Sequence, residues 1–240
     1  MNTKIVSAGN GKRRMETGDH FKNGASSKSL MSRGNVIHSI IALLFLFLPF
    51  TLWGQVKVTS ESSNIDKSQE MLVDYFRFED IEYEKLIFTS KDLRNKTYKL
   101  SVKEIWDGVI TKDSTIVDTK RYPDFFKTVG DTIFTLRVMS KSIDKHKLKM
   151  FFIFPRFSII RKFDAAFIDD GSPYRLRKVV GTEMVEFDKN FCLMVNMLPY
   201  VEGNTRHYCK VADSGEKIED WGKKFGIKHY LVFEMKFETL

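Results

Sequence analysis

Cysteine and proline are scarce in this chain, with two and five residues among 240. Two cysteines allow one crosslink at most. No apolar run reaches the ~20 residues that a spanning helix needs. There is no GxSxG elbow, no phosphate-binding P-loop, no HExxH pair and no EF-hand loop. From Gln55 onward there are only three histidines, His146, His207 and His229. That is too few for a histidine-rich metal site. These absences imply no cofactor and no metal, and they weigh against an enzyme.

One uncharged apolar stretch is present, Ile40 to Trp53. At fourteen residues it matches a secretory h-region of about 7 to 15. Pro49 would break or kink a helix near the exit. Arg33, Lys28, Arg13 and Arg14 precede the run, and the next base downstream is Lys57. That asymmetry holds the N-terminus inside and sends the rest across. The small Gly54 suits a cut before Gln55, although Leu52 is larger than the ideal for its position. The alternative is an uncleaved single-pass anchor over residues 36–53, the only membrane contact the chain would then make. Either way the C-terminal part lies outside the cytoplasm, periplasmic or secreted if cleaved.

Residues 1–34 are polar, without hydrophobic periodicity, and read as a disordered extension. Met31 offers an alternative start. Residues 35–54 are the signal peptide or anchor, 55–68 a polar linker, and 69–240 one β-rich domain. Residues 1–54 carry seven Lys or Arg against two acids, which leaves 32 bases and 29 acids beyond them, a net charge of +3. Most of the basic excess therefore belongs to the export segment. A nucleic-acid partner needs a concentrated basic patch, and none is expected.

From Lys85 a period-two pattern dominates. Thr97 to Trp106 and Val109 to Val117 flank Asp107-Gly108, whose residues tolerate positive φ, so a hairpin is expected. Further turns are expected at Gly130-Asp131, after a strand over Tyr122 to Val129, and at Asp144-Lys145. Leu148 to Phe154 is apolar on both faces from Met150 and reads as a doubly buried strand. Phe157 to Phe163, Val179 to Phe187, Phe191 to Leu198 and His207 to Ala212 are further strands, with Pro199 to Arg206 as a loop. In Tyr230 to Phe237, Leu231, Phe233, Met235 and Phe237 share one face. Ser214 to Phe225 is the one firm helix, with Asp213 and Glu216 as a capping pair, an Ile218–Trp221–Phe225 stripe, and Gly226 as its stop. Residues from Met71 to Phe76 fit a short helix or a strand. The fold class is mainly β: an antiparallel sandwich or barrel-like sheet with one short C-terminal helix over 214–225.

Cys192 and Cys209 could face each other across a strand pair. In an exported chain an even count favours a disulfide, worth about 3 kcal/mol at this loop length. His207 beside Cys209 could instead form a thiolate pair, but the simpler reading is a bridge next to an incidental histidine. Asp169-Asp170 and Glu183 with Glu186 could flank a sugar bond, or be solvated turns and faces. Arg156, Arg161, Arg175 and Arg177 lie among Phe157, Phe163 and Tyr174. They could line a groove for an anionic glycan or lipid phosphate, or be ordinary charged edges. Trp106 could stack on a sugar at the hairpin tip or fold back on the core.

The Trp53-Gly54-Gln55 ending resembles Bacteroidetes-type signal peptides, whose mature chains often begin with Gln. With Trp106-Asp107-Gly108 and Trp221 to Gly226, the chain from about Leu86 to Phe237 resembles the exported domain-of-unknown-function proteins of those bacteria. The resemblance implies no activity and assigns no residue. The expected function is a non-enzymatic envelope or secreted module binding a glycan, a lipid head group or an envelope protein. The alternatives are a polysaccharide hydrolase using an Asp/Glu pair, and a membrane-anchored accessory protein.

Overall fold

Alternating apolar and polar residues recur in nearly every segment after Gly54, and such segments bury one face only by stacking as sheets. A computed structural model shows that they do. It describes residues 54–62, 70–167, 171–179, 181, 183–208, 211 and 216–239. All belong to one unit, Leu52–Leu240. The proposed leader, residues 1–53, and Cys209, Asp169, Asp170 and Asp213 lie outside the described residues. Among the described residues no helix is long and apolar enough to cross a membrane.

Two antiparallel sheets pack face to face. The first, in spatial order, holds β7 (Ser158–Asp164), β6 (Lys147–Ile153), β5 (Ile133–Asp144), β2 (Glu82–Thr89), β1 (Gln55–Ser62) and β9 (Met184–Glu186). The second holds β4 (Val109–Asp118), β3 (Thr97–Trp106), β13 (His229–Glu238), β10 (Phe191–Met197) and β8 (Arg175–Lys178). A small hairpin, β11 (Tyr200–Glu202) with β12 (Thr205–His207), stands apart. The fold is a sandwich and not a closed barrel, since each sheet keeps two edge strands.

The core is aromatic. Phe88 and Phe134 of the first sheet meet Phe237 of the second at 5.2 and 5.7 Å between ring centroids. Phe152 meets Phe233 at 5.6 Å. Each of these rings is fully buried, which stabilises the fold by roughly 1.5–3 kcal/mol apiece. β13 is buried on both faces over its first half, because a C-terminal cap covers its outer side. That cap is a 3₁₀ turn, Ile218–Asp220, running into α3 (Trp221–Phe225). Gly226 closes it in the left-handed conformation at φ 67°, as the stop signal requires.

The β3–β4 hairpin, the Asp144-Lys145 turn and the face assignment of β13 follow the sequence pattern. Three expectations change, and the choice left open at Met71 to Phe76 resolves as helix. Residues 55–62, read as linker, form β1 between β2 and β9, because Val56 and Val58 bury completely while Lys57 and Thr59 face outward. Residues 70–78 form a helix, α1. No strand precedes the Gly130-Asp131 turn. Thr119–Arg121 is a 3₁₀ turn and α2 spans Asp124–Lys127, with Pro123 fixing φ before the first helical residue. Residues 199–206, read as a loop, contain the β11 strand and most of β12, turning at Gly203 with φ 61°.

Candidate functional site

The crossover from β4 to β5 carries the chain from the second sheet to the first over one end of the sandwich. Thr119 pins its start: its Oγ1 accepts from Tyr98 N at 2.9 Å and donates to Tyr98 O at 3.2 Å. Val129 pins its end by donating to Lys96 O at 2.8 Å and accepting from Asn95 N at 2.9 Å. Between these anchors the crossover arches away and leaves a cleft of about 280 Å³.

The cleft is lined by Tyr98 of β3, Phe126 of α2, Phe134 of β5, and Arg156 and Phe157 of the β6–β7 turn, with Thr128 to Asp131 along one side. Tyr98 stacks on Phe154 at 5.7 Å and 24°, and Phe154 on Phe157 at 4.8 Å and 28°. Phe126 stands edge-on to Phe157 at 5.9 Å. Exposed Phe125 and Ile133 extend the apolar surface outward. Small-ligand sites have this character, apolar walls with few polar groups.

Two polar groups point to the chemistry. Tyr98 is 4 % exposed, and its hydroxyl makes no hydrogen bond with any described residue. The hydroxyl is not one of the sealed, unpaired polar atoms of the described residues; it opens into the cleft and can donate there. Burial, then the neighbouring Tyr122, pushes its pKa up, while Arg156 acts the other way. The phenol stays protonated near neutrality and can only donate to an anion. Arg156 is held by Nη1, which donates to Phe125 O and, at 3.5 Å, to Thr128 O. Its guanidinium also lies 5.0 Å from the Phe125 ring centroid. Nη2 lies close over Gly130, where a side chain would displace it. The one acid on the wall, Asp131, already accepts from Thr132 N at 2.7 Å and lies 3.9 Å from Arg94.

Of the basic residues singled out from sequence, Arg156 alone lines this cleft. Arg175 and Arg177 both grip Glu82, Arg177 at 3.4 Å, and so tie β8 to β2 across the sandwich. Arg161 donates to Ile116 O at 3.4 Å and links β7 to β4 on the other flank. The four arginines therefore form no shared groove. Trp106 turns inward at the far end and stacks on His229 at 4.0 Å. Glu183 and Glu186 are ion-paired with Lys178 and Lys189.

Cys192 carries a free thiol. Burial, then Glu234, pushes its pKa up, so it is a poor nucleophile. Its strand is flanked by β13 and β8, and the pairing expected between residues 191–198 and 207–212 is absent among the described residues. His207 packs on Tyr200 and lies 3.9 Å from Glu202. No cluster of three metal-ligating side chains occurs among the described residues.

Sequence reasoning placed a strand where the cleft forms. Pro123 ahead of Asp124-Phe125-Phe126 was the available signal, since proline opposes an interior strand and favours a helix start. No family model, curated protein or solved structure matches the chain.

Proposed function

We propose that this chain is an exported, non-enzymatic binding module of the envelope or the medium, and that the aromatic cleft under the β4–β5 crossover holds its ligand. The observation carrying this is Tyr98, whose hydroxyl opens into an aromatic recess and makes no hydrogen bond with the described residues. The export half of the reading rests on Ile40 to Trp53 and gains support from β1, which begins at Gln55. A cut after Gly54 leaves every described strand intact. A resemblance to exported Bacteroidetes-type domains agrees with that position.

Intact-mass measurement on protein recovered from fractionated cells and medium, with extraction of the small molecules it carries, tests both halves. The expected result is a soluble exported chain beginning at Gln55, or its cyclised form, with a bound compound released on denaturation. A chain retaining residues 40–53 in the membrane fraction would replace the cleaved module with an anchored accessory protein. Turnover of an envelope polysaccharide by the purified chain would replace binding with hydrolysis.

A further inference from the structure

We infer that the cleft takes a small aryl carboxylate, one ring on a short arm ending in the acid. This inference rests on the binding-module reading and names its ligand class. A cleft of about 280 Å³ lies at the small end of ligand pockets, with room for one ring and its arm. Phe126, Phe134 and Phe157 supply a wall suited to a flat apolar body; offset and edge-on ring contacts are the favoured geometries there.

The polar end of the ligand follows from the donors. Tyr98 presents its O–H to the cleft, and exposed Arg156 presents Nη2 and Nε, which make no hydrogen bond with described residues. All are donors, and an acceptor-only group answers them. A carboxylate also matches a guanidinium edge with two oxygens. A sugar ring would present hydroxyl donors as well, and the side chains beside Tyr98 and Arg156 are mostly hydrocarbon. Asp131 does not repel the anion strongly, because Thr132 and Arg94 already engage it.

Calorimetric titration of the protein as cells produce it, with 3-phenylpropanoate and its neutral analogue 3-phenylpropanamide, tests the assignment. The acid should bind at least tenfold more tightly than the amide. Tyr98→Phe keeps the ring and its packing, and should weaken the acid about tenfold, the loss expected for one charge-assisted hydrogen bond, and the amide by less, because its carbonyl accepts a weaker, neutral one. Arg156→Gln should weaken the acid by at least as much. Equal affinity for acid and amide, or no effect of Tyr98→Phe, would overturn the carboxylate while leaving the binding module standing. No heat with the acid up to the order of 10 mM, beside recovery of some other compound from the native protein, would also overturn it.

Discussion

Two buried ionisable side chains set the pH response of this fold, and they act in opposite directions. His229 is fully buried; Tyr174 Oη lies 2.5 Å from its Nδ1, and Nε2 has no hydrogen-bond partner among the described residues. Desolvation pulls its pKa down from 6.5 to about 4, against a small opposing effect of Asp164. The unfolded chain therefore binds the extra proton between about pH 4 and 6.5, and stability falls as pH drops through that range. Glu84 faces inward on β2, and burial raises its pKa from 4.5 to about 7, with Ser60 and Arg177 acting against the rise. Here the folded state holds the extra proton, so stability falls as pH rises from about 4.5 to 7. Each shift corresponds to roughly 3 kcal/mol. Between pH 4.5 and 6.5 the two contributions offset. Denaturant titrations across that range should show a steeper gain of stability with rising pH in Glu84→Gln than in the parent. His229→Gln should show a decline. Parallel pH profiles for all three proteins would refute this assignment. The composition and the strand periodicity placed neither residue: His229 follows a lysine at a strand start, and Glu84 sits in a run of charged residues. Their burial arises from the partner sheet, which no local pattern reports.

At the scale of elements, a close backbone contact joins the Trp106-Asp107-Gly108 turn to the C-terminal cap. Gly108 takes φ +75°, and a side chain there would meet Lys223 N at 2.8 Å. A side chain on Gly222 would run into the Gly108 backbone at 2.5 Å from Cα. The two segments thus pack backbone to backbone, and Tyr230 Oη fixes the cap by donating to Ile218 O at 2.8 Å and accepting from Gly222 N at 3.1 Å. Gly222→Ala forces the cap off the hairpin and should cost about 1–3 kcal/mol, the usual penalty of overpacking, read as a lower denaturation midpoint with an unchanged slope. A midpoint equal to the parent's would show that the cap is not seated there. Both segments were visible in the sequence as a turn and a helix end, because glycine beside aspartate and glycine after an apolar stripe have local causes. Their contact was not visible, since it depends on the register of β3 against β13, where Trp106 stands opposite His229. The helix is also shorter than its pattern promised: only residues 221–225 are α-helical, preceded by a 3₁₀ turn.

Across the whole molecule, the braced flanks and the cleft occupy different parts of the sandwich. Arg175 and Arg177 brace one flank and Arg161 the other, while the crossover end keeps the aromatic cleft. A chain beginning at Gln55 contains both sheets, so it should unfold in one cooperative transition seen alike by fluorescence and circular dichroism. Separate transitions would show that the upstream residues are needed. The antiparallel β class was legible from strand count and turn spacing, while the choice of sandwich over barrel was set by which strands stay edges. The cleft was not legible, because it is built by Tyr98, Phe126, Phe134, Arg156 and Phe157 from segments far apart in sequence. The most direct test of the cleft as the proposed binding site is amide chemical-shift mapping of the protein against 3-phenylpropanoate. The account predicts saturable shifts centred on Tyr98, Val129, Gly130 and Phe157. Shifts centred instead on Trp106 and His229 at the opposite end, or no saturable shifts, would contradict it.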